Sequence, residues 1–138
     1  MIAIDTNVLL RYLLQDDDKQ SSKVNKLFAG KRQILISDVV LAETIWTLKG
    51  KRYKLSKDNL LSTIDALFKE PNVRFEDGQT VWRALNDYRT ASPKNKVDFA
   101  DTLILKKSQY DTKLKSESFD GLYTFDAALQ QLNNTKKP

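Results

Sequence analysis

Four short runs set the frame of this chain: Ile2-Ala3-Ile4, Ile34-Leu35-Ile36, Val73-Arg74-Phe75 and Leu122-Tyr123-Thr124. Each is too brief for a helix and rich enough in β-branched and aromatic residues for a strand. Between them the apolar residues switch to helical spacing. Val8, Leu9, Tyr12 and Leu13 mark a first helix, interrupted by Asp16-Asp17-Asp18. Val24, Leu27 and Phe28 mark a second, stopped by Gly30. Ser37 or Asp38 caps a third, through Val40, Leu41, Ile45, Trp46 and Leu48 to Gly50. Ser56 caps a fourth, with an apolar face of Leu60, Leu61, Ile64, Leu67 and Phe68, which Pro71 breaks. Val81, Trp82, Leu85 and Tyr88 mark a fifth, and Asp98 opens a sixth through Leu103 and Ile104. Ser92-Pro93-Lys94-Asn95-Lys96 reads as a polar loop, residues 111–120 as a long exposed loop, and the neighbourhood of Ala128, Leu129 and Leu132 as a terminal helix. Strands alternating with helices predict an α/β fold: a central parallel sheet of four to five short strands flanked by helices on both faces. There is no repeat, linker or break in composition, so the expectation is one domain over residues 1–132, with 133–138 as a frayed tail.

Composition narrows the chemistry. The 138 residues include no cysteine and no histidine. Thiolate nucleophiles, disulfides, zinc-thiolate sites, a histidine base and histidine-ligated metals are excluded. Catalysis would have to run on Asp and Glu, helped by Lys, Arg, Tyr, Ser and Thr. The net charge of +5 leans toward an anionic partner, although a modest lysine excess is also what a solvated surface shows. Residues 1–5 are too short for a signal peptide, and no segment reaches the roughly 18 apolar residues of a membrane span. The expectation is a cytoplasmic protein with no membrane partner.

In open α/β sheets, sites form beyond the carboxyl ends of the strands. Asp5 directly follows the first strand and Asp126 the last; Glu43 lies about two turns into the helix after the second; Asp98 and Asp101 open the sixth helix, three residues apart on adjoining parts of one face. Carboxylates from four segments, gathered without a counter-charge, repel one another, and a divalent cation removes the problem. Oxygen-only ligands select a hard ion, Mg²⁺ or Mn²⁺, which is suited to phosphodiester hydrolysis. Each acid also has a purely structural reading: Asp5, Asp98 and Asp126 as helix caps, Asp101 as a complement to the helix dipole, and Glu43 as a solvent-facing residue. The arrangement at strand ends, more than any single acid, carries the hypothesis.

Four blocks occur in a telling order: Ile4-Asp5-Thr6-Asn7-Val8-Leu9, Ser37-Asp38-Val39-Val40-Leu41-Ala42-Glu43, Asp98-Phe99-Ala100-Asp101-Thr102-Leu103-Ile104 and Leu122-Tyr123-Thr124-Phe125-Asp126. This resembles the PIN domains, and within them the VapC-type toxins of toxin–antitoxin pairs. The resemblance spans residues 2–132. It implies a single PIN-like domain and a metal-dependent endoribonuclease whose metal-binding and catalytic acids are Asp5, Glu43, Asp101 and Asp126, with Asp98 as an added metal-binding acid. It further implies supporting roles for Thr6, Asn7 and Thr124, a homodimer, a protein antitoxin that blocks the acidic site, and a structured RNA such as tRNA or rRNA as substrate. Residues 106–120 depart from the pattern, being longer and more polar than the short turn often found there.

An acidic site for a polyanion needs cations on its approach. Lys49, Lys51, Arg52 and Lys54, with Tyr53 among them, follow the Glu43 helix; Lys94 and Lys96 precede Asp98; Arg11 and Tyr12 lie on the first helix. The same lysines read equally well as solvated loop residues. Two other functions fit parts of the pattern. An Asp ending a first strand also serves as nucleophile in phosphotransfer enzymes, but position 7 is Asn and no lysine signature follows. A silent PIN-like module that binds RNA or protein would not need every acid, and every matched acid is present.

Overall fold

The computed structural model describes residues 1–92 and 94–138; Pro93, part of the expected polar loop, lies outside the described residues. The chain divides into two compact units, Met1–Gly78 and Gln79–Pro138. The first is a run of β/α crossovers: β1 (Ile2–Ala3), α1 (Thr6–Leu14), α2 (Asp18–Phe28), β2 (Ile34–Ile36), α3 (Asp38–Lys49), α4 (Lys57–Lys69) and β3 (Val73–Phe75). The strands form one parallel sheet in the order β1-β2-β3. Ile2 pairs with Ile34, and Ile34 with Val73. All three strands run the same way, so the segments that leave them start from one edge.

The local chemistry sets the helix ends. Asp17 accepts the Gln20 N–H at 2.9 Å and starts α2, while Gln15 closes α1 in the left-handed region. The acidic cluster thus starts α2 directly after Gln15 has ended α1. Ser37 accepts the Val40 N–H at 3.3 Å and Ser56 the Asn59 N–H at 3.2 Å, capping α3 and α4. Leu9, Ile34, Ile36, Leu41, Leu60 and Ile64 are fully buried and form the core of this unit. Tyr12 stacks flat on Phe28, with ring centroids 3.6 Å apart, and donates to Glu70 Oε1 at 2.7 Å, tying α1 and α2 to the end of α4. Burial, reinforced by the Glu70 carboxylate, pushes the Tyr12 hydroxyl up to about 12.

The second unit holds α5 (Gly78–Thr90, its first residue closing the first unit), α6 (Phe99–Leu114), β4 (Leu122–Tyr123), a single 3-10 turn (Leu129–Gln131) and β5 (Thr135–Lys136). Val81, Ala84, Leu85, Phe99 and Leu103 fill its core, with Tyr88 edge-on to Phe99.

The α/β class and the parallel strands agree with the sequence. The five strands, however, divide into a sheet of three and a parallel pair, β4 with β5. Residues 133–138, expected to fray, carry β5: the Leu122 and Thr124 N–H groups donate to Asn134 O and Lys136 O at 2.8 and 2.9 Å, so this tail supplies acceptors that β4 needs. The long loop expected over 111–120 is shorter, because α6 continues to Leu114; an Asp111–Lys115 ion pair one turn apart supports its end. The terminal helix is one 3-10 turn. Trp46 and Ile104, which are among the apolar residues that mark α3 and α6 in the sequence, are 74% and 52% exposed.

Candidate metal-binding acids at the sheet edge

Asp5 leaves β1 and caps α1: its Oδ1 accepts the Val8 N–H at 2.9 Å. Its other oxygen accepts no hydrogen bond among the described residues. The next residue, Thr6, donates its hydroxyl to Glu43 Oε2 at 3.0 Å. That bond ties the first residue of α1 to the middle of α3, and so holds the Asp5 and Glu43 carboxylates at the same end of the unit. Glu43 is exposed, so the cost of a carboxylate among apolar neighbours does not arise. Asn7 is exposed on the first turn of α1. With Asp5, Val8, Arg11, Gln20, Lys23, Val24 and Leu27 it lines a groove of about 330 Å³ between α1 and α2.

In the second unit, Asp98 and Asp101 form a reciprocal capping box at the start of α6, in which the Asp101 carboxylate accepts the Asp98 N–H at 3.0 Å. Asp126 follows β4. Its N–H donates to Thr124 Oγ1 at 3.0 Å, and its Oδ1 accepts the Ala128 and Leu129 N–H groups at 2.8 and 3.1 Å. Asp5, Asp98 and Asp126 are therefore all helix or turn caps, and the structural reading of each is realised. A cap hydrogen bond occupies one face of a carboxylate and leaves it charged, so the role does not compete with holding a cation.

The donor set suits a hard divalent ion: Asp5 and Glu43 are exposed carboxylates in which a hydroxyl and a backbone N–H orient one oxygen each. Among the described residues, neither unit gathers three acidic side chains into a ready-made cage.

Other residues singled out from the sequence are placed differently. Arg11 pairs with Asp16, and that hydrogen bond holds its guanidinium more firmly charged. Tyr12 is committed to Phe28 and Glu70. Arg11 nonetheless lines the same groove as Asp5. Arg52 lies over the Tyr53 ring, 5.2 Å from its centre, while Lys51, Lys54, Lys94 and Lys96 are exposed. One acid escaped the sequence reading. Glu76 directly follows β3 and accepts the Asp38 N–H at 2.8 Å, which supports the start of α3. Asking which residue follows each strand would have found it.

A short acid-edged α/β chain of this build is what the family comparison identifies. The PIN domain family matches residues 2–133, and the chain belongs to that family. Among solved structures, the chain is similar to the crystal structure of Mycobacterium tuberculosis VapC20, a sarcin-ricin loop cleaving toxin. The identity is 16%, the match covers 97% of this chain and 96% of that one, and the TM-score is 0.42. No curated protein matches the chain. Among the described residues no helix is long and apolar enough to cross a membrane.

Proposed function

We propose that this protein is a Mg²⁺- or Mn²⁺-dependent endoribonuclease, and that it is the toxin of a cytoplasmic toxin–antitoxin pair. The observation that carries the reading is the Thr6–Glu43 hydrogen bond, which holds two acids from different helices at one end of a PIN-family chain. By the resemblance, the acids proposed as metal ligands are Asp5 and Glu43 in the first unit and Asp98, Asp101 and Asp126 in the second. When bound, such an ion supplies Lewis acidity toward a phosphodiester and toward water at neutral pH. Thr6 fixes the Glu43 carboxylate, and Val8 N–H fixes that of Asp5, so neither has to reorganise as charge develops. Thr124 anchors the backbone of Asp126. Asn7, which lines the same groove as Asp5, would orient the acids or bound water.

The block-by-block resemblance to VapC-type toxins supports the toxin role, a homodimer, a protein antitoxin and a structured RNA substrate. Hydrolysis by water, in contrast to attack by a ribose 2′-hydroxyl, would leave a 5′-phosphate and a 3′-hydroxyl. The test is cleavage of cellular RNA by the purified chain in Mn²⁺ or Mg²⁺ against EDTA, alongside Asp5→Asn. Metal-dependent cutting that the variant lacks is the expected result. Products ending in a 2′,3′-cyclic phosphate would overturn the mechanism, and intact RNA in both metals would leave a binding module without catalysis.

A further inference from the structure

We propose that Tyr123 and Phe125, with Lys136 and Lys137 beside them, form a stacking platform for unpaired nucleotides of an RNA chain next to Asp126. Along this stretch burial alternates. Leu122 and Thr124 are half-buried, whereas Tyr123 is 57% and Phe125 88% exposed. No large apolar side chain among the described residues is more exposed than Phe125. An aromatic ring left in water forfeits the gain of burial, so two of them two residues apart call for an occupant.

The exposure is built in. Thr124 N–H donates to Lys136 O at 2.9 Å, Gln130 Nε2 donates to Thr124 O at 2.7 Å, and Asp126 N–H donates to Thr124 Oγ1 at 3.0 Å. Asp126 in turn accepts from Ala128 and Leu129. The backbone on both sides of Phe125 is thus pinned, and the ring is presented from a fixed turn.

The occupant follows from the charges around the rings. Tyr123 pairs in register with Lys136. At Gly121, φ is +132°, and a Cβ there would stand 3.3 Å from both Lys136 Cδ and Cε. The lysine stem therefore lies over the glycine, two residues before Tyr123, in space that a side chain would fill. Lys137 is exposed beyond it. Exposed aromatic rings with a lysine on the paired strand match a nucleic-acid strand: bases stack whatever their identity, and lysines meet phosphates. Stacking needs free base faces, so the ligand is a single-stranded segment, such as a loop within a folded RNA. The inference rests on the nuclease reading for its purpose, which is to bring a strand alongside Asp126. The binding itself requires neither metal nor cleavage.

The test separates the two. In EDTA, fluorescence anisotropy is read for a labelled single-stranded oligoribonucleotide and for its duplex. The wild type is expected to prefer the single strand. The Tyr123→Ala/Phe125→Ala protein should bind it about tenfold or more weakly, whereas Tyr123→Phe/Phe125→Trp should retain affinity. Lys136→Ala and Lys137→Ala should each lower the slope of log affinity against log salt by about 0.7. Circular dichroism melts should be unchanged in the aromatic variants, whose side chains face solvent. No binding by the wild type, equal affinity for the duplex, or an unchanged affinity in the double alanine protein would overturn the platform. So would altered self-association in that protein with RNA affinity intact, which would mark a protein interface. Wild type that binds single strands but cuts nothing in Mn²⁺ would remove the nuclease reading and support the platform. Wild type that cuts with KM unaffected by the double alanine change would do the reverse.

Discussion

At the scale of single residues, capping by Asp5 and its proposed part in binding metal can be separated by choice of substitution. Asn caps a helix about as well as Asp does, while Ala does not, at a cost of about 1 kcal/mol. Asp5→Asn should therefore keep the α1 cap to Val8 and the melting temperature, yet lose most cleavage activity. Asp5→Ala should lose both. If Asp5→Asn kept full activity, Asp5 would be a cap alone. Tyr12 gives a second prediction, on pH. Its hydroxyl titrates at about 12 in the folded chain against 10.0 when unperturbed, so between those values the folded state holds the proton that the unfolded chain has released. Stability from this group is fully present below pH 10.0 and is lost as pH rises toward 12. Urea midpoints across that window should fall less steeply in Tyr12→Phe than in the wild type; identical slopes would remove Tyr12 as the source.

At the scale of elements, β5 is the piece whose removal should be felt elsewhere. Ending the chain after residue 133 deletes the acceptors at Asn134 and Lys136, so the Leu122 and Thr124 amides should exchange with deuterium faster than in the full chain. Unchanged protection of both would show that β4 does not depend on the tail. β5 was not legible from sequence because Thr135–Lys136 is two polar residues whose identity as a strand exists in the pairing alone. By contrast Ile34–Ile36 is apolar throughout and bounded by the polar residues Gln33 and Ser37, and its limits could be read directly. The continuation of α6 was hidden by composition. Residues 106–113 are mostly polar, and polarity without Gly or Pro describes a solvated helix as well as a loop. The exposure of Trp46 was hidden for the opposite reason: Val39, Val40, Leu41, Ala42, Ile45 and Trp46 are apolar on every side of α3, so periodicity could not choose its inner face. The candidate acids were legible from their place after strands. Their hydrogen-bond partners, and the part of Glu76, are facts of tertiary placement.

At the scale of the whole molecule, a bound cation should act on folding as well as on catalysis. A ligand that binds only the folded state stabilises it by about 2.7 kcal/mol at a hundred times its dissociation constant. Mn²⁺ should raise the melting temperature of the purified chain and EDTA should reverse the effect, with Glu43→Gln abolishing most of the gain. A melting temperature indifferent to Mn²⁺ in the wild type would count against these acids as ligands, whatever the RNA assays gave.

The doubling of acids as caps has a bearing on how such a chain could change over generations. A descendant that lost the proposed nuclease activity would still need a short hydrogen-bond acceptor at positions 5, 98 and 126, where Asn, Ser or Thr would serve. Position 43 carries no such obligation, since its carboxylate caps nothing and is held by Thr6 alone among the described residues. Drift away from catalysis would thus show first at Glu43, and a relative lacking an acid there while keeping its caps would be recognisable as a retired nuclease.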